Sequence, residues 1–164
     1  VVEFQAFWED LSNRGLRSEE QISLLRKLWT NEVIDFQGKW LSVKAAGLNP
    51  LPIQRPIPIW MGGGADAVLR RIVKIADGWF PQIKPDKDGK EKIAKLVEYS
   101  EAAGRDPSTI SITVFHIFGP PDNSRLIKAF FAAGADRVVF RPKDVETEDE
   151  MFAELHRLAT LLLE

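Results

Sequence analysis

The stretch RPIPIWMGGGADAVLRRIVKIADGWF, residues 55–80, joins a short apolar run, three successive glycines and a strongly periodic segment. The apolar run Ile57–Met61 is typical of a short buried strand, and apolar residues recur at helical spacing over Ala65–Ile75. A second short apolar run, Gly78–Phe80, follows at once. A strand, a helix and another strand in this order predict a βαβ unit with parallel strands.

The same alternation continues to the end of the chain. It predicts two further strands, Ile110–Phe118 and Val138–Phe140, and three further helices, Lys87–Ala103, Arg125–Ala133 and Glu148–Leu163. Strands that alternate with helices predict an α/β fold with a parallel sheet and right-handed crossovers. The length of 164 residues fits one domain, so we expect residues 1–164 to form a single domain.

The N-terminal third has a different pattern. Ser18-Glu19-Glu20-Gln21 has the form of a capping box and predicts the start of a helix. Two apolar runs, Val33–Phe36 and Trp40–Val43, flank Gln37-Gly38-Lys39 and predict a small hairpin. The stretch from residue 45 to residue 58 holds four prolines, which predicts an extended, irregular connector.

Composition excludes several classes of function. The chain is 45% hydrophobic and 28% charged, as in an ordinary globular protein, and its net charge of -2 argues against nucleic acid or acidic lipid as a partner. It has no cysteine and two distant histidines, so we expect no disulfide and no metal site. No apolar run approaches ~18 residues, and the N-terminus lacks a signal-peptide pattern. We therefore expect no membrane span and a cytoplasmic location.

The three glycines stand where an α/β fold places its ligands, beyond the carboxyl end of a strand. At the start of a helix the backbone N–H groups have no intrahelical partner, and the helix dipole adds partial positive charge. Glycine lets the backbone approach an anion closely. Gly62, Gly63 and Gly64 therefore predict a phosphate site. The alternative is a tight strand-to-helix turn, for which one glycine would be enough.

Four segments occur in the same order and at similar spacing in one known family: NRGLRSEEQISLLRKLW, DFQGKW, NPLPIQRPIPIWMGGG and ADGWFP. With them the chain resembles the luciferase-like monooxygenases, specifically the group related to enzymes that use a deazaflavin coenzyme. The resemblance is strong from Asn13 to Pro81, and beyond Pro81 only the strand–helix rhythm continues. It implies an oxidoreductase or monooxygenase that uses FMN or an 8-hydroxy-5-deazaflavin coenzyme for hydride transfer or oxygen insertion.

The family folds as a (β/α)8 TIM barrel, which typically takes ~250 residues. The resemblance therefore implies that the four predicted βα units are the second half of the barrel, with a small hairpin insertion. Two open strand edges would then invite pairing with another chain. We expect a homodimer or a missing N-terminal half as partner, together with a small-molecule substrate. The alternative is a non-catalytic half-barrel that binds a phosphate-bearing ligand or only self-associates.

The resemblance also implies which residues bind the cofactor. In the family the segment after the fifth strand receives the phosphate, and the sixth strand lies close to the cofactor. Many relatives have serine or threonine where Ala65 stands, and its hydroxyl also reaches the phosphate. For Trp79 a packing role is the alternative. Catalytic residues remain unassigned, and the implied cofactor-binding residues are Met61, Gly62, Gly63, Gly64, Ala65, Asp77, Gly78 and Trp79.

Three further polar residues have open roles. His116 shares one strand face with Ile112 and Val114, so it either lines the barrel mouth or is a core histidine. Arg141 follows the last strand, where it either approaches an anion or pairs with a nearby carboxylate such as Asp144 or Glu146. His156, on the last helix among charged residues, is expected to be a solvated surface residue.

Overall fold

The computed structural model describes residues 10–117, 119–121 and 124–163. These residues belong to two compact units that divide after Pro58. One sheet has two antiparallel strands, and the other has four parallel strands. That the whole chain is one domain stays a prediction. Within the described part of the chain, no helix is both long and apolar enough to cross a membrane.

The first unit consists of a helix and a hairpin. A short 3-10 turn, Leu11–Asn13, leads into helix α1 (Arg14–Thr30). Strands β1 (Ile34–Gln37) and β2 (Ser42–Ala46) then pair antiparallel, which confirms the predicted hairpin with its strands displaced by one to three residues. Helix α1 begins four residues before the predicted capping box, so the predicted helix start was wrong.

Ser18, the predicted cap, and its neighbour Glu20 have other roles in the structure. The Ser18 hydroxyl donates to the carbonyl of Arg14 at 2.8 Å, which is a contact inside a helix and not at its start. The Glu20 carboxylate accepts the backbone N–H groups of residues 39–41 at 2.7–2.9 Å. Burial opposes the ionisation of Glu20, but these N–H groups outweigh it and lower the pKa of the carboxyl. Glu20 therefore fastens the hairpin turn to α1.

The second unit alternates strands and helices throughout. Its strands pair in the order β3-β4-β5-β6, all parallel, which confirms the α/β fold with a parallel sheet. The sheet is open, since β3 and β6 are edge strands among the described residues and the strands do not close into a barrel. A 3-10 turn, Pro107–Thr109, precedes β5. The elements are β3 (Trp60–Gly62), α2 (Asp66–Ile75), β4 (Gly78–Phe80), α3 (Lys87–Ala102), β5 (Ser111–His116), α4 (Ser124–Ala132), β6 (Arg137–Phe140) and α5 (Glu148–Leu163).

Strand β3 is shorter than the apolar pattern predicted. The prediction began at Ile57, whereas the ladder with β4 begins where Trp60 pairs with Gly78. Pro56 and Pro58 have no backbone N–H and cannot donate to a ladder. Because of these prolines, β3 begins three residues later in the chain than predicted.

The core of the second unit lies between the parallel sheet and its helices. On β5, Ile112, Val114 and His116 are buried on the face that packs on the helices. On the opposite face, the rings of Phe80 and Phe115 stack with centroids 5.6 Å apart. The core cluster contains Leu69, Ile72, Val73, Ala76, Trp79, Ile83, Ile93, Leu96, Ile110, Ile112, Val114, Phe130 and Ala135.

The amino ends of β4 and β6 are built alike. The Asp77 N–H donates to the Ile59 carbonyl at 2.9 Å, and the Asp77 carboxylate accepts the Ile59 N–H at 2.9 Å. Asp136 repeats this pair of bonds with Ile112, at 2.9 and 2.7 Å. Each aspartate follows a buried alanine and fixes the start of its strand to the neighbouring strand.

Candidate cofactor-binding site

A cleft of about 480 Å³ opens at the carboxyl ends of β3 and β4. The glycine loop that joins β3 to α2 forms one wall, and the segment that follows β4 forms another. This is the edge of a parallel sheet at which α/β proteins bind their ligands. The lining residues are Gly62, Gly63, Gly64, Phe80, Pro81, Gln82, Ile83 and Lys92.

One of the three glycines is required by the backbone itself. Gly63 has a φ of +95°, which residues with a side chain rarely adopt. A Cβ atom at Gly62 would lie 3.4 Å from the carbonyl oxygen of Phe80, and one at Gly64 would lie 3.5 Å from Cδ of Lys92, and both are ordinary contacts. At Gly62 and Gly64 the absence of a side chain therefore leaves room in the cleft and is not a requirement of the turn.

Helix α2 starts at this loop without a side-chain cap. Ala65 is its N-cap residue, and no side chain there accepts a hydrogen bond from the first turn. N–H groups at a helix start that lack such a partner point along the axis and favour an anion. An alanine N-cap behind a glycine loop is suited to a phosphate, whose oxygens accept several N–H bonds.

The acidic residue in the first turn of α2 is neutralised by the next helix. The Asp66 carboxylate pairs with Nζ of Lys95 at 3.1 Å. This bond, with a second from Tyr99, lowers the pKa of Asp66, while Asp66 raises the pKa of Lys95. Asp66 is therefore charged and held by α3, so its negative charge is compensated at the helix start.

Trp79 contacts the glycine loop from the buried core. Its side chain is fully buried, and its indole Nε1–H donates to the carbonyl of Gly63 at 2.6 Å. Met61 is half-buried and packs against the core. At Gly78 a Cβ would collide with the indole of Trp60, so glycine leaves room for this side chain beside β4. Trp79 thus combines the packing role with contact to the predicted phosphate loop.

The structure brings residues 61–65 together with Trp79, but Asp77 lies at the other end of β4. The Asp77 carboxylate accepts the N–H of Ile59, at the amino end of the strands. It is not among the residues that line the cleft. A cofactor contact for Asp77 stays a prediction, and the bond with Ile59 gives it a structural role.

The remaining candidates lie apart from the cleft. His116 is buried against the rings of Phe130 and Phe140, at 5.3 and 5.5 Å, which confirms it as a core histidine. Burial, and then the charge of Lys84, lower the pKa of His116. His156 is exposed as expected. Arg141 pairs with Asp144 at 2.7 Å, one of the two roles left open for it.

Sequence reasoning missed Lys92, which reaches the glycine loop from α3. Its position depends on how α3 packs beside α2, and no short motif encodes that packing. Phe80 and Gln82 were missed for a related reason, because they line the cleft only through the pairing of β4 with β3. The one available signal was position in the chain, since Phe80 ends the predicted strand Gly78–Phe80 and Gln82 and Lys92 follow it.

The family model described as "Luciferase-like monooxygenase" matches residues 1–156. The chain therefore belongs to the luciferase-like monooxygenase family.

Curated relatives are longer than this chain. An uncharacterized protein of Mycobacterium tuberculosis is 36% identical over 94 residues, which are 57% of this chain and 32% of that protein. The F420-dependent glucose-6-phosphate dehydrogenase of Mycolicibacterium gilvum is 29% identical over 109 residues, 65% of this chain and 32% of that enzyme. In both cases the matched part of the chain spans about a third of the relative.

Solved structures share the fold. The monooxygenase RslO1 from Streptomyces bottropensis matches with a TM-score of 0.69 at 16% identity, over 98% of this chain and 64% of that one. An F420-dependent secondary alcohol dehydrogenase, in complex with an F420-acetone adduct, matches with a TM-score of 0.58 at 18% identity. That match covers 94% of this chain and 55% of the dehydrogenase chain. At these identities the likeness establishes the fold.

Proposed function

We propose that this chain is the second half of a luciferase-like (β/α)8 barrel and belongs to an oxidoreductase that uses FMN or the deazaflavin coenzyme F420. Family membership over residues 1–156 supports the reaction class. The four parallel strands of an open sheet support the half-barrel, since they are half of the eight in a full barrel. The F420-dependent relative from Mycolicibacterium gilvum supports the cofactor class.

The observation that carries the proposal is the uncapped start of α2 behind three glycines. The cleft is lined by a backbone free of side chains and by one cation, Lys92. Its glycine loop leads directly into the uncapped start of α2, whose N–H donors suit a phosphate. Gly63 and Gly64 admit the phosphate close to the backbone, and Trp79 holds the carbonyl of Gly63 turned inward. These residues fit the phosphate of FMN or F420.

The cofactor ring supplies hydride transfer or oxygen insertion, and the protein supplies position and a suitable surface. Phe80 lines the cleft and stacks on Phe115, which gives the ring an apolar surface beside the phosphate loop. Aromatic side chains favour stacked or edge-on contact with a flat ring. Phe80 would therefore be the residue that holds the cofactor ring, beside the loop that would hold its phosphate.

A partner completes the proposed barrel. Strands β3 and β6 are the edges of the described sheet, and their residues Trp60 and Val139 are 40% and 36% exposed. Open edges with exposed apolar side chains favour pairing with another chain. We propose either a homodimer of half-barrels or an N-terminal half supplied separately. Sedimentation should show a dimer at micromolar concentration, and a cooperatively folding monomer would contradict the dimer.

One observation favours a second candidate function. Of the eight residues that line the cleft, Lys92 alone carries a titratable side chain. General acid–base catalysis needs a positioned proton donor or acceptor near the reacting atoms. The second candidate is thus a half-barrel that binds a phosphate-bearing ligand, or only self-associates, without catalysis of its own.

Binding of the two cofactors tests the proposal directly. Purified chain titrated with FMN, and separately with F420, should quench the fluorescence of at least one of them in a saturable manner. Hydride transfer would then be followed through the absorbance of the bound cofactor. Binding without turnover would favour the second candidate. No binding of either cofactor at high micromolar concentration would contradict the cofactor proposal for this chain.

A further inference from the structure

Lys92 lies where the cofactor phosphate is proposed to bind. It extends from the second turn of α3 to the cleft, and a Cβ atom at Gly64 would lie 3.5 Å from its Cδ and 3.6 Å from its Cε. The lysine stem therefore lies close enough to Gly64 to contact any side chain placed there. Its ammonium end is the one formal charge among the lining residues.

The ion pair that Lys92 forms contributes little to stability. Nζ of Lys92 pairs with the carboxylate of Asp88 at 2.5 Å, one turn earlier on the same helix. The side chain of Asp88 is 70% exposed and that of Lys92 is 33% exposed. Exposed i,i+4 pairs contribute little, because water screens the charges and both side chains lose freedom. The phosphate monoester of FMN, with about 1.5 to 2 negative charges, can therefore compete with Asp88 for the ammonium group.

The other lysines of α3 with a described ion pair are less suited than Lys92 to bind the phosphate. Lys95, one turn further along α3, is committed to Asp66 at 3.1 Å, and that pair cancels the acidic residue at the start of α2. Lys87 pairs with Glu91 at 3.8 Å and is not among the lining residues. Lys92 is thus the cation of α3 that both reaches the glycine loop and has an exchangeable partner.

We propose that Lys92 exchanges its contact with Asp88 for the cofactor phosphate and thereby gives the glycine loop its preference for a phosphorylated ligand. This inference rests on the proposed function, because it assumes that the loop receives that phosphate. It adds a side-chain cation from α3 to the backbone donors of α2. It also assigns Asp88 a role, since this carboxylate competes with the ligand.

The test compares FMN with riboflavin, which has the same ring and no phosphate. Lys92→Gln should weaken FMN binding roughly tenfold, as for one charge-assisted hydrogen bond, and leave riboflavin binding unchanged. Lys87→Gln is the matched control, because it breaks an i,i+4 pair on the same helix outside the cleft. Asp88→Asn should tighten FMN binding about twofold by removing the competitor, whereas Glu91→Gln should not.

The outcomes separate the inference from the proposed function. If Lys92→Gln and Lys87→Gln bind FMN equally, or if Lys92→Gln weakens riboflavin as much as FMN, the inference is overturned and the cofactor proposal stands. If the wild-type chain binds neither FMN nor F420, both are overturned. Circular dichroism and thermal unfolding of each variant verify that these surface substitutions leave the fold intact.

Discussion

Helices α2 and α3 begin at the same edge of the parallel sheet, after β3 and β4, yet their first turns differ. At α3 the Asp86 carboxylate accepts the N–H of Gly89 at 3.0 Å, as a helix N-cap normally does. At α2 the N-cap residue is Ala65, and it provides no side-chain acceptor. A missing cap costs about 1 kcal/mol of stability, so α2 keeps its donors available at the expense of the fold.

The amino and carboxyl ends of the strands differ in the same way, in whether a side chain occupies the backbone N–H groups. At the amino ends, Asp77 and Asp136 occupy the N–H groups of Ile59 and Ile112. At the carboxyl end of β3, glycines replace side chains altogether. The aspartates stabilise the amino ends of the strands, and the bare glycine loop agrees with the proposal that a ligand binds there. The following substitutions test this contrast.

The largest effect is expected at Gly64. Gly64→Glu would introduce bulk and a negative charge where the phosphate is proposed to bind. Like-charge contacts cost several kcal/mol, so FMN affinity should fall roughly a hundredfold, or about 3 kcal/mol. Gly64→Ala is the control, because its Cβ meets only ordinary contacts, and it should stay within about threefold of wild type. Equal affinities of the two variants by fluorescence titration would show that the phosphate binds elsewhere.

The aspartates at the amino ends should affect stability and not binding. Asp77→Ala and Asp136→Ala each remove a carboxylate that accepts a backbone N–H, so each should lower the free energy of unfolding by roughly 1–2 kcal/mol in urea titrations. Both variants should bind FMN with wild-type affinity. Weaker binding by Asp77→Ala alone, with Asp136→Ala unchanged, would instead assign Asp77 to the cofactor.

The two helix starts should respond in opposite directions to a change of cap. Ala65→Ser supplies an acceptor for the first turn of α2, so the free energy of unfolding should rise by about 1 kcal/mol. Its hydroxyl can also donate to the phosphate and tighten FMN binding by about 1 kcal/mol. Asp86→Ala should lower stability by about 1 kcal/mol with FMN affinity unchanged. Looser FMN binding by Ala65→Ser would contradict the position of the phosphate.

The smallest effect concerns pH. Burial lowers the pKa of His116 below its ordinary value of 6.5, so the folded protein holds this ring neutral. Below about pH 6.5 this histidine takes up a proton more readily in the unfolded chain than in the folded protein. The free energy of unfolding should therefore decrease as the pH is lowered through this range. His116→Gln should flatten this slope in urea unfolding at several pH values, whereas His156→Gln, at an exposed position, should not. An unchanged slope in His116→Gln would exclude this residue as its source.

Local patterns in the sequence were enough to predict the alternation of strands and helices and the place of the glycine loop between β3 and α2. Errors arose where a contact distant in sequence decided the outcome. Ser18 was predicted to start a helix, but α1 already begins at Arg14, and the nearby Glu20 accepts three N–H groups from a hairpin turn about twenty residues away. Lys92 reaches the cleft because α3 packs beside α2, and nothing in the residues around it indicates this. Asp77 matched a family motif, while its bond with Ile59 became visible only once β3 and β4 were paired.

We propose that the carboxyl end of β3 and the start of α2 bind the phosphate of a flavin or deazaflavin. Backbone amide spectra of ¹⁵N-labelled chain, recorded during titration with FMN, test it residue by residue. We expect the largest shifts at the amides of residues 63–67 and small shifts at Ile59 and Ile112, whose N–H groups already donate to the aspartates. Saturable binding that leaves residues 63–67 unmoved, or that moves the amino ends most, would contradict it.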